Sequence, residues 1–450
     1  MENVTEVLGR VEKYLPGRVA RWAKFIKTLC DDPRNPQGIR HEFAHCVLAL
    51  LAGVVCDRKS LREVETLSQW MGLGNRGGGV SDGALSHLLK LCSADHFDPL
   101  LVASVRDMQR RGELRHPDFS HHWVAIDGKY SCLDHHCGGW GQKFFTPNAS
   151  NVYWRVGVLR AVLITSPGRT ALGQFAMGPV KTTETDPEKI KHTGEITNLP
   201  HFIAKLRQFY GDLVSNFTLD AGLWSKAAYL AMDISGYRLL CALKDNKPEL
   251  HAEVARLLRL DMARLTPQAE SDWEPTTYGS RVRRRLWRTT RLDGWLGWHN
   301  LRQAVVVEQT TRDTNGKETT ELRYYVTNAT TGMLSPRLLL RLIRQHWAIE
   351  NDCNWTFDTQ YGEDDRRWCT NNMAILVLGA LRMTAYNMMQ RLRKCHIQVK
   401  HPRAADSPRP WRSTAEFVHD CLKRLGRALV ARLPEFTQRR GQRLQAILDG

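Results

Sequence analysis

Three carboxylates set the tightest constraint on this chain. Ala125-Ile126-Asp127-Gly128-Lys129 and Thr218-Leu219-Asp220-Ala221-Gly222 each close an apolar, β-like run (residues 123–126 and 213–219). The third, in His346-Trp347-Ala348-Ile349-Glu350-Asn351, lies in a helical stretch rich in Leu and Arg. A carboxylate at a strand terminus is held by rigid backbone, and Gly128 beside Asp127 permits close approach of a phosphate. Read singly, a strand-end Asp is usually a turn residue, and a helical Glu beside basic residues is normally a solvated ion pair. The pattern apolar-apolar-Asp-small occurs twice, and that repetition gives both aspartates weight. Hard ions such as Mg²⁺ prefer carboxylate oxygen and keep positions open for water and phosphate, so two strand-borne Asp and one helix-borne Glu suit phosphodiester chemistry.

The 450 residues suffice for about three domains. Lys and Arg total 64 against 47 Asp and Glu, a formal charge of +17 that suits a polyanionic partner. Basic residues run through the whole chain, with concentrations at 281–288 and 432–443, which predicts a long nucleic-acid track rather than one tethering arm. The 11 cysteines are scattered and odd in number, the pattern of reduced thiols. Residues 132–137 (Cys-Leu-Asp-His-His-Cys) have metal-ligand types, but no second ligand pair stands at zinc-site spacing. The longest apolar runs, 46–55 and 373–383, fall short of the roughly 20 residues that span a bilayer. With no apolar signal-peptide core, a soluble, cytoplasmic protein without a membrane partner is expected.

Residues 1–115 read as a helical N-terminal domain. Helices are expected at 43–55, 60–70 and 81–90, with Ser60 and Glu63, and Ser81 or Asp82, as N-caps. The glycine-rich linker 72–79 makes the second and third of these a candidate helix-turn-helix, with a non-DNA-binding helical pair as the equal alternative. After residue 116 strands are expected at 123–130, 154–165 and 172–180. A helix at 194–210, a strand ending at Asp220, a helix at 225–232, a strand at 237–243 and a helix at 247–265 follow. Residues 266–330 look like an inserted β unit with a turn at Asp313-Thr-Asn-Gly316, and Pro336 opens the helix carrying Glu350. The expected class is therefore α/β: a mixed sheet flanked by helices over 116–395, and a basic helical C-terminal region over 396–450.

Several further motifs stand in one order: Gly194-Glu-Ile-Thr-Asn-Leu-Pro200, Leu243-Lys-Asp-Asn-Lys-Pro-Glu-Leu250, Phe357-Asp358 and Tyr361-Gly-Glu-Asp364. Together with the three acidic signatures they resemble, from about residue 38 to 392, the insertion-sequence DDE transposases with an RNase H-like core interrupted by a β-strand insertion. The closest resemblance is to the H-repeat-associated type. It implies that Asp127, Asp220 and Glu350 are the catalytic residues and bind two Mg²⁺ or Mn²⁺ ions. The implied reaction is metal-dependent cleavage and strand transfer at the ends of a mobile element. It also implies double-stranded DNA as partner, a homodimer in the synaptic complex, and association with the prokaryotic nucleoid; residues 373–392 and 417–448 are candidates for the dimer contact, with core packing as the equal alternative for their apolar faces. A domesticated, inactive DNA-binding derivative and a nuclease without strand transfer are the alternatives.

Candidate DNA contacts are Lys129, Lys244, Asn246, Arg284, Arg285 and His346, each with a solvated or structural role as its plain alternative. Trp287, Trp295 and Trp298 are candidates for stacking on a flipped base, Trp298 foremost, although most of the 14 tryptophans must be packing. The chain departs from its relatives where a Tyr, Arg, Glu, Lys series is common: it has Ile343, His346, Glu350 and Phe357. A contact from His346 would depend on pH. Asn246-Lys247-Pro248 replaces Asn-Gln-Pro, and a Gln common after the second Asp is replaced near Trp224-Ser225. Asp358, Glu363 and Asp364 are either substitute third ligands or partners of cations such as Arg366 and Arg367.

Overall fold

The computed structural model describes residues 21–396, apart from 76–77, 117, 134–141, 146–151, 167–168, 181–190, 277–278, 293–294, 365–367 and 370. Outside the described residues lie most of the Cys/His motif, Arg366, Arg367, the Pro-rich stretch at 401–410 and the basic C-terminal region.

The N-terminal region is helical, as its periodicity predicts: α1 (Phe43–Val55), α2 (Leu61–Trp70), α3 (Asp82–Leu91) and α4 (Asp98–Arg110). The Ser60 hydroxyl accepts the Glu63 amide at 3.3 Å and the Glu63 carboxylate accepts the Lys59 amide at 3.2 Å, which closes the predicted cap from both sides. Ser81 caps α3 in the same way. The connection between α2 and α3 takes residues 71–81 and turns through Gly72, Gly74 and Gly79, all at positive φ. That is longer than the three- or four-residue turn of a helix-turn-helix, so the tight version of that motif is not formed.

The strands form one mixed sheet. β1 (Val124–Leu133), β2 (Gln142–Phe145), β3 (Val152–Leu163) and β4 (Thr170–Met177) are antiparallel, with β3 between β1 on one edge and β2 and β4 on the other. Helix α5 (Glu195–Tyr210) then leads to β5 (Asn216–Leu219), which pairs parallel to β1. Helix α6 (Lys226–Ile234) leads on to β6 (Arg238–Leu243), parallel to β5. Asp127 does not end its strand as expected. β1 continues to Leu133 because Tyr130 to Leu133 find ladder partners on β3.

Helix α7 (Pro248–Arg264) precedes the expected β unit, which comprises β7 (Ala269–Glu270), β8 (Glu274–Pro275), β9 (Arg281–Thr289), β10 (Gln303–Arg312) and β11 (Glu318–Thr327). The unit does not stand apart. β11 pairs antiparallel with β6, so the insertion prolongs the main sheet. The Arg281–Thr289 run is a strand whose arginines alternate between faces: Arg284 and Arg288 share a face with the buried Val282 and Leu286, and Arg281, Arg283 and Arg285 share the other with the buried Trp287.

Alternation along the strands separates two cores. Val124, Ile126, Phe217, Leu219, Leu239, Cys241 and Leu243 face α5, α6 and α7. Ala125, Val162, Ala171 and Leu240 face the other layer: α1, α8 (Pro336–His346), the segment after it, and α10 (Asn372–His396). The N-terminal helices thus share a core with the C-terminal ones. Asn387 on α10 ties that layer to the sheet, since its amide accepts from and donates to the backbone of Ala171, both at 2.9 Å.

Beneath α10 lies a buried charge cluster. Arg160 on β3, 1% exposed, bonds Glu363 and, at 3.0 Å, Asn354, and Arg382 stands 3.8 Å from the same Glu363 oxygen. Two cations share one anion in a site without water access, so removing the anion strands both. Glu363→Ala is expected to lower stability by about 3–5 kcal/mol, measurable by denaturant unfolding. A loss within the range of an ordinary surface substitution would show that the cluster does not carry this part of the fold.

Candidate active site

Strand parity decides which side chains meet. Val124 and Ile126 point into the α5–α7 core, so Asp127 and Lys129 point to the opposite face, with Ala125. On β5, Phe217 and Leu219 point to the α5–α7 core, so Thr218 and, just past the strand, Asp220 share the face of Asp127. The two strands are adjacent and parallel, with Ile126 in register with Leu219, and their aspartates therefore emerge side by side.

The third acid arrives from the layer that packs on this face. Helix α8 ends at His346, and Glu350 sits in a π-helical turn, Ile349–Asn354, that runs into the short α9 (Trp355–Thr359). Such single π turns inside a helical run recur at functional sites, because the wider turn re-aims one side chain. His346 is bonded to Thr218 on β5 at 2.8 Å, which anchors the preceding turn to the strand that carries Asp220.

The electrostatics register the convergence. The Asp127 carboxyl is pushed up to about 7, first by burial and then by the charge of Glu350, with smaller contributions from Glu195 and Asp220. The Gly128 amide, which donates to Asp127 Oδ1 at 2.9 Å, opposes this. Glu350 is raised by burial and by Asp220, and lowered by Lys244. Lys244, largely exposed, brings its ammonium within 3.8 Å of Asp220. The carboxylates at this spot outnumber the cation beside them, and burial with like charge raises Asp127 and Glu350.

Glu195 is a fourth acid that sequence reasoning did not single out. It opens α5 and is raised by burial, and further by Asp220, against a hydrogen bond from Tyr130 and the charge of Arg155. Its carboxylate occupies the space where a Cβ on Gly128 would stand. Glycine at 128 thus lets a carboxylate lie against the backbone beside Asp127. The signal available in the sequence was a Glu directly after a glycine N-cap, which is also an ordinary helix start.

Among the described residues, no group of three or more His, Cys, Asp or Glu is arranged to hold a metal ion as it stands. The donor set nevertheless fits a hard divalent ion. It is all oxygen, it is under-neutralised, and the charge that raises Asp127 is the charge a cation would relieve.

The other expected contacts divide. Lys244 borders the acids, 3.8 Å from Asp220. Lys129 is not presented to a phosphate: it is 16% exposed and bonds Asp358 at 2.8 Å and Asp364 at 3.1 Å. Those two acids, and Glu363 in its arginine cluster, are thereby committed and do not serve as substitute ligands. Asn246 donates to the Ala221 carbonyl at 2.8 Å and braces the turn after Asp220. Burial holds His346 down to about 4, so it is neutral at pH 7 and supplies no charge. Arg284 and Arg285 pair with Glu274 and Glu308 on the insertion. Trp298, 7% exposed, packs edge-on against Trp224 and Tyr229, so it is core rather than a stacking platform. Trp287 is likewise buried, its indole bonded to the Leu265 carbonyl, and Trp295 is half-buried.

No protein-family model matches the chain, and no curated protein matches it. Among the described residues no helix is long and apolar enough to cross a membrane.

The raised Asp127 makes a prediction for stability without metal. Its folded value lies above the unfolded one of 3.8, so the folded state binds the proton more tightly, and ionisation of Asp127 costs stability progressively from about pH 4 to about pH 7. Asp127→Asn should therefore melt higher than the parent above pH 7 in chelator, with the difference vanishing near pH 4. A difference independent of pH would refute the crowding of carboxylates.

Proposed function

We propose that the protein is a DDE-type DNA transposase with an RNase H-like catalytic core, acting on the ends of an insertion sequence. The observation that carries the reading is the placement of Asp127 and Asp220 on adjacent parallel strands, facing the π turn that bears Glu350. The strand order β4-β3-β1-β5-β6, three antiparallel strands followed by two parallel ones, supports the RNase H-like part. The overall +17 charge supports a DNA partner.

In this reading Asp127, Asp220 and Glu350 hold two Mg²⁺ or Mn²⁺ ions, with Glu195 close enough to reinforce them. Bound ions of this kind activate a water or a DNA 3′-hydroxyl and stabilise the leaving oxygen of an in-line displacement. The chain's own contribution is positional. β1 and β5 fix the aspartates, the Thr218–His346 bond fixes the approach of Glu350, and Asn246 holds the turn beyond Asp220. Lys244, exposed beside Asp220, is the side chain placed to meet a phosphate. Cutting and joining both ends of an element requires two copies of the site, so a homodimer on DNA is part of the proposal. The neutral, bonded state of His346 favours one rival, a derivative that binds DNA without cutting it.

Purified protein with element-end DNA and Mg²⁺ separates the readings. Nicked plus joined products are expected. Alanine at Asp127, Asp220 or Glu350 should each reduce both by about 10³-fold or more, and combining the changes should add little because the three act as a unit. Nicks without joining would identify a nuclease, and a shifted but intact duplex a binding derivative.

A further inference from the structure

A second feature of the same face is a cleft of about 1040 Å³ between α8 and the inserted strands. Six arginines line it: Arg337, Arg341 and Arg344 from α8, Arg284 and Arg323 from the insertion, and Arg169 from the turn between β3 and β4. The acids in its wall are Glu270, Asp272, Glu274 and Asp352, four against six arginines; Arg169 pairs with Asp352 at 3.6 Å, and Arg323 pairs with Glu321 at 2.9 Å. Glu274 is shared by Arg284 and Arg344, and Arg341 bonds Asp118 at the edge of the cleft at 2.9 Å.

The α8 arginines repeat at steps of four and three residues, which places them on one face of the helix while Leu339, Leu342 and Ile343 fill the core behind. All three are exposed. They span about 10 Å along the helix axis, roughly three base-pair steps of duplex DNA. The cleft also runs onto the turn that presents Glu350, since Ala348, Asn351 and Asp352 are part of its wall.

Resting on the transposase reading above, we infer that this cleft is a phosphate-binding groove that leads one DNA strand along α8 to the carboxylates. The three guanidiniums of α8 meet successive backbone phosphates on one wall, and Arg284 and Arg323 hold the strand from the other. Specific contact with bases is not required of it, because guanidiniums spaced along a backbone fix register without reading sequence.

The test is the salt dependence of binding to a short DNA duplex. It compares the parent with R337A/R341A/R344A and with R256A/R259A/R264A, a variant of equal charge change on α7, the opposite layer. Each phosphate contact contributes about 0.9 to the slope of log affinity against log salt. The α8 variant should lose about 2–3 from that slope and bind at least about tenfold more weakly at moderate salt, and the α7 variant should match the parent. Equal melting temperatures would show that both variants are folded. A parent that binds steeply together with an α8 variant of unchanged slope would overturn the groove while leaving the transposase reading intact. Equal loss in both variants would overturn it in favour of diffuse attraction. A parent with no affinity for DNA would overturn groove and reading together.

Discussion

The docking of the α8-to-α9 segment onto the sheet is the interaction on which the site depends. Two strands alone would present Asp127, within β1, and Asp220, just past β5, to solvent side by side. The Thr218–His346 bond at 2.8 Å holds the segment just before Glu350, and the Lys129 pairs with Asp358 and Asp364 hold it just after. Arg160, opposite Asp127 on β3, reaches Asn354 at the end of the π turn and Glu363 beyond α9. The glutamate is thus fixed from both sides by groups on the strands that carry or flank the aspartates. A carboxylate supplied by a distant part of the chain reaches a strand end reproducibly only when such anchors position it.

The acids on this face fall into two electrostatic classes. Asp358, Glu363 and Asp364 each have a cation at hand, and their task is to hold layers together. Asp127, Glu350 and Glu195 lean on one another and on Asp220, and burial raises all three further. The second group has Lys244 and Arg155 beside it but outnumbers them, which leaves negative charge for something other than a side chain to neutralise. The arginines of α8 lie along the approach to that unbalanced spot, so an anionic strand drawn into the cleft and cations held by the carboxylates would complement each other.

Much of the framework was legible in the sequence because it rests on local signals. Ser60 with Glu63, Ser81 and Pro336 mark helix starts, and alternating apolar residues mark β1, β3, β5, β6, β10 and β11. The two aspartates could be read as a pair because period-2 alternation carries their facing with it. What was not legible depends on contacts across the chain. Lys129 meets acids 229 and 235 residues away, so nothing near it distinguishes a clamp from a phosphate contact. Trp298 is one aromatic among many, and only the neighbouring Trp224 and Tyr229 reveal it as core. The union of β11 with β6, the π turn at Glu350 and the approach of Glu195 to Gly128 likewise arise from packing between segments whose local patterns are ordinary.

Anomalous diffraction from crystals of the protein with Mn²⁺ and element-end DNA tests the central claim most directly. The account predicts two peaks, about 3.5–4 Å apart, bracketed by the carboxylates of Asp127, Asp220 and Glu350. Well-ordered DNA in crystals with no manganese peak at these carboxylates, or with manganese bound only elsewhere, would contradict it.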